Sequence, residues 1–559
     1  MWVVQVIRSL TVIVVFVTPA ADAPKRARRT EDRSIFVDSF LQKSSCVQVP
    51  TVFLLLLASN KTIEPFVLDG LMAGFAALMA CCAFPPHSSY PHQSGSHLHT
   101  PRPTAPPRLH PDVRASASDS AAALELLDRA TERLLPHFAD VDRRTEHQLR
   151  RVLRAFHAHK VGTHHFAGVD GYGHGDLGRE TLDELYAELM GAEDAVVRVQ
   201  CFSGTHAIAC ALYGVLRPGH EMLAVSGAPY DTLEEVIGLR DGRTDGLTGT
   251  LKDFGVSYRQ LELTPEGCFD LEAISGSLAP ATRLLHVQRS CGYSWRPSIP
   301  IAEIKRLCEF MSELRPEVIV FVDNCYGEFV EEEEPCHVGA HLVAGSLIKN
   351  PGGTLALTGG YVAGRADLVA AAKRRLSCPG VEGGATLGQN RAMFQGLFHA
   401  PHVVGEALKG AMLVAEVMCE LGYECNPPRG SNRTDIIQAV RLGSKDKVLA
   451  LCRAVQRSSP VGSYILPTEG VTPGYGDPVV FADGTFVDGS TLELSADGPL
   501  RAPFVAYMQG GTHWTHWRIV LSAAFDTLLE AGLALESEAQ GQQAEQERRY
   551  AGRRSMKNN

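Results

Sequence analysis

The feature that most constrains this chain is an alternation, after Gly162, of short apolar β-runs with amphipathic stretches. "AVVRVQCF" (195–202), "EMLAVSG" (221–227), "RLLHVQRS" (283–290) and "VIVFVD" (318–323) read as strands. Between them, "THAIACALYGVL" (205–216), "DTLEEVIGL" (231–239) and "AEIKRLCEFMSELR" (302–315) read as helices. Strands that recur between helices of this length belong to a mostly parallel sheet covered on both faces. The fold class is therefore α/β.

Flanking segments extend that frame. "AALELLDRATERLLPHF" (122–138) and "EHQLRRVLRAFHAH" (146–159) carry apolar residues at helical spacing and are expected as two helices. Beyond Arg374 come a long helix, "VVGEALKGAMLVAEVMCELG" (403–422), and short strands, "DIIQAV" (435–440), "DPVVFA" (477–482) and "TLELSA" (491–496). That mix indicates a smaller C-terminal α+β domain. The expected organisation is a leader at 1–115, N-terminal helices at 116–161, a large α/β domain at 162–374, the small domain at 375–535 and a polar tail at 536–559.

The leader differs in composition from the rest. Residues 2–17, "WVVQVIRSLTVIVVFV", resemble a signal-like apolar region and precede the basic run "KRARR". The apolar runs at 49–58 and 70–84 are shorter than the ~20 residues a membrane-spanning helix needs. Residues 85–111, rich in Pro, Ser and His, read as a disordered linker, and no metal site is expected from its histidines. The region reads as a targeting or processing segment, with an error in the gene's boundaries as the alternative. The expected location is the cytoplasm, or a plastid or other organelle after the leader is removed.

The formal charge of −10 argues against a nucleic-acid-binding body, because phosphate backbones reward basic patches. Fourteen cysteines at scattered spacings, without a CxxC pair, read as reduced thiols and not as a disulfide framework.

Three features fall where open α/β sheets bind ligands, beyond the carboxyl ends of strands. "FSGTH" (202–206) joins a strand to a helix, so Ser203, Gly204 and Thr205 would either cap that helix or cradle an anion. Asp323 ends a buried strand, where a carboxylate needs a cation or hydrogen bonds: a helix end, an arginine or a cationic ring nitrogen. Glu331 to Glu334 beyond it read as a solvated loop. Lys349, in "GSLIKNPGG" (345–353), sits among apolar residues, where burial would lower its pKa and make its amine a nucleophile. Ser346 stands three residues before it. An anion turn, a strand-end acid and a loop lysine, in that order, meet the needs of pyridoxal phosphate: its phosphate, its protonated pyridine nitrogen and its aldehyde.

The stretches "RVQCFSGTHAIACALYGVLRPGHEMLAVSGAPYDTLEEVIG", "QRSCGYSWRPS", "VFVDNCYGEFVEEEEP", "AGSLIKNPGGTLALTGGYVAGR" and "GTFVDGSTLELSADGPLRAPFVAYMQGG" carry a further signal. They resemble the aluminium-resistance, methionine-γ-lyase-like family of the pyridoxal-phosphate-dependent Cys/Met-metabolism enzymes, over roughly residues 120 to 530. The resemblance implies the fold-type I aminotransferase architecture, with active sites shared between subunits of a homodimer or homotetramer. It implies Lys349 as the Schiff-base lysine and Asp323 as the partner of the pyridine nitrogen. Ser203, Gly204, Thr205 and Ser346 become phosphate ligands, and Tyr230 stacks on the cofactor ring. Tyr172 falls where a tyrosine of the neighbouring subunit reaches the phosphate. Three positions depart from the wider superfamily: His174 replaces an arginine, Ile348 a hydroxyl residue and His341 an acid. For a substrate carboxylate, Arg501 is favoured by its motif, with Arg289 and Arg518 as rivals. The implied activity is β- or γ-elimination from cystathionine-, cysteine- or methionine-like substrates. The alternative is a non-catalytic cofactor-binding or metal-tolerance protein.

Overall fold

A computed structural model describes residues 4–6, 15–17, 120–240, 249–381, 388–472, 474–525 and 528. The linker and the polar tail lie outside the described residues, as does the leader apart from two short segments. These are Val4–Val6 (β1) and Val15–Val17 (β2), which pair antiparallel within a first unit, Met1–Pro107. Among the described residues no helix is long and apolar enough to cross a membrane.

In the second unit, Arg108–Asn559, the apolar runs form one seven-stranded sheet. Its strands are Asp194–Arg198 (β3), Glu221–Ala224 (β4), Ser257–Gln260 (β5), Thr282–Gln288 (β6), Ile319–Asp323 (β7), Leu342–Ser346 (β8) and Gly360–Gly364 (β9). They lie in the order β3-β9-β8-β7-β6-β4-β5. Strands β5, β4, β6, β7 and β8 run parallel, and β9 is antiparallel to both of its neighbours. Alternate residues of one strand enter different cores. Leu285, Val320 and Val322 pack on one side of the sheet, and Leu284, Ile319 and Phe321 on the other. That two-sided burial is why β6 and β7 are apolar without alternation. The mostly parallel α/β sheet is the fold-type I architecture that the sequence implied.

The crossovers are helical: Gly204–Val215 (α3), Asp231–Ile237 (α4), Leu271–Ser277 (α5) and Ile301–Leu314 (α6), preceded by Leu177–Met190 (α2) and followed by Ala366–Leu376 (α7). A second, five-stranded antiparallel sheet has the order β10-β11-β14-β13-β12. Its strands are Glu424–Asn426 (β10), Gln438–Arg441 (β11), Val479–Ala482 (β12), Ser495–Pro499 (β13) and Val505–Gln509 (β14). The strand expected at 491–496 thus begins only at Ser495. Leu492 and Leu494 are buried all the same.

Two helices were expected before Gly162; there is one, Ala121–Ala158 (α1), with Pro136 inside it. A mid-helix proline forfeits a hydrogen bond and crowds the preceding turn, at a cost of ~3 kcal/mol. Pro136 is on the exposed face, while Ala130, Leu134, Phe138 and Val141 continue the buried stripe past it. Helix α1 packs on Asn390–Glu420 (α8), and both helices contribute side chains to two cores. Division of this unit into a large and a small domain, at the boundaries given above, remains our proposal.

Helix α8 also seats the loop that carries Lys349. A Cβ at Gly396 would meet the Gly352 carbonyl oxygen at 2.2 Å, and one at Gly353 would meet the Gly396 oxygen at 2.1 Å. Gly353 further needs a left-handed φ of +53°. Backbone therefore lies directly on backbone at this contact. In an open helix position Gly→Ala stabilises by up to ~1 kcal/mol. We expect Gly276→Ala, in open space on α5, to raise the unfolding midpoint. Gly396→Ala should instead lower it by about 1–3 kcal/mol, through overpacking. Thermal unfolding of the two variants checks the opposite signs.

Candidate active site

Strands β6, β7 and β8 end side by side at Gln288, Asp323 and Ser346. Helix α3 starts beside them. Ser203 is its N-cap, with Oγ accepting from the His206 N–H at 3.2 Å. The capping role is therefore real, and it leaves first-turn N–H groups without intrahelical partners. Gly204 allows the close approach: a Cβ there would lie 2.7 Å from the Ser346 Cβ. The Thr205 hydroxyl accepts from the Tyr230 hydroxyl at 2.9 Å. Tyr230 in turn is fixed by its own N–H, which donates to Gln288 Oε1 at 2.7 Å. Burial, and then the charge of Asp323, raise the Tyr230 phenol far above its ordinary pKa, so it remains a donor.

These groups border a cavity of about 590 Å³ that also takes in Asp323, Lys349 and Arg501. Asp323 is 3% exposed; Oδ1 accepts from the Cys325 N–H at 3.1 Å. No arginine pairs with it among the described residues, so the commoner fate of a strand-end acid does not apply. Burial raises its pKa, and Lys349 opposes the rise. Lys349 lies with its Nζ 3.9 Å from the centre of the Tyr326 ring. The expectation that burial lowers its pKa is corrected here. Burial does act that way, but Cys325, Tyr326, Asp323 and Tyr230 face the ammonium and outweigh it. Of these, Asp323 is the carboxylate, and it adds to the effect of Cys325 and Tyr326.

The remaining candidates separate. Arg501 is at the rim, bonded to Asp477 at 2.7 Å. Arg289 is fully buried away from the cavity, donating to Asn324 at 2.7 Å and to Glu331 at 2.6 Å. Arg518 joins Asp128 and Thr131 of α1. Neither is placed to meet a ligand in this cavity. Tyr172 is 68% exposed, stacked on His174 with centroids 5.8 Å apart, and is not among the residues lining its own chain's cavity. Ile348 lines the cavity. His341 lies at the other end of β7, where its Nδ1 accepts from the Val320 N–H at 2.9 Å.

A family profile described as methionine gamma-lyase matches residues 123–529. The chain belongs to the methionine gamma-lyase family. It is 49% identical over 385 residues to the uncharacterised protein YnbB of Bacillus subtilis, spanning 68% of this chain and 91% of YnbB. A Clostridium novyi structure, described as a carbon-sulfur lyase involved in aluminium resistance, is 41% identical. It superposes with a TM-score of 0.69 over 73% of this chain and 96% of that one. L-methionine gamma-lyase of Pseudomonas putida is 27% identical over 208 residues, 36% of this chain and 46% of that enzyme. Membership makes this chain an enzyme of the carbon–sulfur lyase kind.

Within this family member, sequence reasoning missed the shell behind Lys349. The fully buried Asn350 donates to the Tyr326 and Glu328 carbonyls at 3.0 and 2.9 Å, pinning the loop. Glu334, expected in a solvated run, is 1% exposed and accepts from Asn324 at 2.9 Å and the Phe329 N–H at 2.8 Å. Glu331 pairs with Arg289, whereas Glu332 and Glu333 are exposed. Four adjacent glutamates gave no signal in the sequence of which ones fold inward. Glu328 is fully buried; Tyr361 donates to Oε1 at 2.9 Å, and Oε2 has no partner. Burial pushes its carboxyl up to about 8. In the unfolded chain a glutamate titrates near ~4.3. Between these values the unfolded chain ionises while the folded carboxyl keeps its proton, so this group lowers stability as pH rises. Above about 8 the loss is complete. Thermal unfolding should therefore fall more between pH 5 and 8 in wild type than in Glu328→Gln; parallel profiles would contradict this.

Proposed function

We propose that this chain is a pyridoxal-phosphate-dependent lyase that removes a thiol from sulfur-containing amino acids by β- or γ-elimination. The observation that carries the reading is that Asp323, Lys349 and the start of α3 border one cavity. The residues present fit the cofactor. A cradle that a Cβ at Gly204 would fill, open helical N–H groups and the Ser203, Thr205 and Ser346 hydroxyls suit a phosphate. A buried carboxyl without an arginine suits a protonated ring nitrogen, and a buried amine suits an aldehyde.

Bound there, the cofactor supplies an electron sink for negative charge at the substrate α-carbon. Asp323 would keep a ring nitrogen protonated. Lys349 would hold the cofactor's carbonyl carbon and, once its amine is free and neutral, would accept the substrate α-proton at Nζ. An ammonium facing a carboxylate loses that hold once another cation takes the carboxylate, which is how Lys349 gains access to its neutral form. Tyr230 would pack on the cofactor ring, and Arg501 would take the substrate carboxylate if it exchanged Asp477 for it. Across the reaction the C–S bond breaks, a thiol leaves, and water completes the conversion to an α-keto acid and ammonia. We further propose a homodimer or homotetramer in which the exposed Tyr172 serves the partner's site.

Keto-acid release from a panel of cystathionine, cysteine and methionine, with the absorption spectrum of the purified protein, tests the reading. Lys349→Ala should remove the near-visible absorbance of lysine-bound cofactor and lower turnover by at least ~10²-fold. Asp323→Asn should retain the protein's fold and lose most turnover. Bound cofactor with no keto acid from any of the substrates would instead support a binding protein.

A further inference from the structure

The wall of the cavity opposite the β7 and β8 ends is built by the second sheet, and the mechanism above leaves it unused. Asp497 on β13 faces the cavity. Its Oδ2 accepts from Gln509 Nε2 at 3.1 Å, and the Tyr293 ring lies on the same cavity wall. In the sheet it is flanked by Phe481 of β12 and Tyr507 of β14. Four rings gather at this carboxyl. Tyr293 and Tyr507 have centroids 5.1 Å apart, Tyr293 and Tyr475 5.9 Å, and Tyr475 and Phe481 6.0 Å. All four line the cavity. One unpartnered hydroxyl also belongs to the lining of this cavity. Thr491, 7% exposed and on the cavity lining, has a buried hydroxyl with no hydrogen-bond partner.

We propose that this aromatic box around Asp497 is a subsite for a protonated amine carried by the substrate's leaving thiol. Aromatic faces attract ammonium groups, more strongly when water is excluded, and a carboxylate among them supplies the countercharge. A methionine-like tail, apolar throughout, would leave the Asp497 charge without a cation from the substrate, which disfavours it. The other charged and titratable groups facing Asp497 are Asp483, Lys349, the Cys452 thiol and the phenols of Tyr293, Tyr326, Tyr475 and Tyr507, with Arg501 beyond Tyr507. Burial is the main cause that pushes the Asp497 carboxyl up to about 7, and Asp483 adds to it. At pH 8 the carboxylate form predominates. This inference rests on the lyase reading above, and it names the substrate class for that same site.

The test uses holoenzyme at pH 8 and two shape-matched thioethers, S-(2-aminoethyl)-L-cysteine and S-propyl-L-cysteine, with L-cystathionine as a tail bearing both amine and carboxylate. Keto-acid release gives kcat/KM for each. In parallel, calorimetry gives dissociation constants for the α-methyl analogues of the first two, which have no α-proton to lose. Wild type should prefer the aminoethyl compound by at least ~10-fold in both readouts. Asp497→Asn should lower that ratio by ~10-fold or more, and Tyr475→Leu by a smaller factor. Cystathionine tracking the aminoethyl compound would extend the class to amino-acid tails. Its falling to the level of the propyl compound would confine the class to simple amines. Equal or tighter binding of the propyl compound by wild type overturns the subsite, whatever the variants do. Absence of keto acid from every thioether, with the binding preference intact, would overturn the lyase reading and leave the subsite standing.

Discussion

The structure depends on one electrostatic relation: a carboxylate and an ammonium held in the same cavity, with little water to screen them. Each alone would be costly to bury. Asp323 lowers the cost of charging Lys349, and Lys349 restrains the rise in the Asp323 pKa. A pair in that state is matched to a ligand that offers a cation to one member and a carbonyl carbon to the other. The cavity is therefore specialised before any substrate enters.

Rigid backbone contacts maintain that relation. The acid belongs to β7, in the middle of the sheet, and cannot shift without breaking two ladders. The lysine belongs to a loop, which by itself would be a poor anchor. Three devices make it one: contact of Gly352 and Gly353 with Gly396 of α8, burial of Asn350, and the hydrogen bonds that Asn350 sends to the 326–328 turn. The same turn holds Tyr326 in a left-handed conformation, with φ of 72°. A non-glycine residue in that region is strained by about 1–3 kcal/mol. Here the strain places the aromatic ring against the lysine amine.

Much of this was legible in the chain. The two-sided apolar runs specify a parallel sheet because a strand with no polar face must be covered twice. Ser203, Gly204, Thr205, Asp323, Ser346 and Lys349 were visible because each sits at an element boundary, and parallel topology gathers those boundaries at one edge. Other elements were not legible. Strands β8 and β9 were missed because "LVAGS" and "GYVAG" are short and contain glycine, which propensity reads as loop. The mainly polar stretch at 139–145 divided the reading into two helices, whereas packing on α8 carries one helix through it. Glu328, Glu334 and Asp497 look like ordinary surface acids, and Tyr293, Tyr475, Phe481 and Tyr507 are scattered over more than two hundred residues.

The sequence by itself determined the layered α/β plan, the family and the order of cradle, acid and lysine, because these follow from local periodicity and from motifs contiguous in the chain. Only the tertiary structure decided which of the three candidate arginines stands at the cavity, which glutamates turn inward and which rings surround Asp497. It also reversed the expected shift of the Lys349 pKa. The physical reason is the same in each case. Burial and electric field are sums over neighbours distant along the chain, and those neighbours become fixed only when the two sheets and the long helices pack.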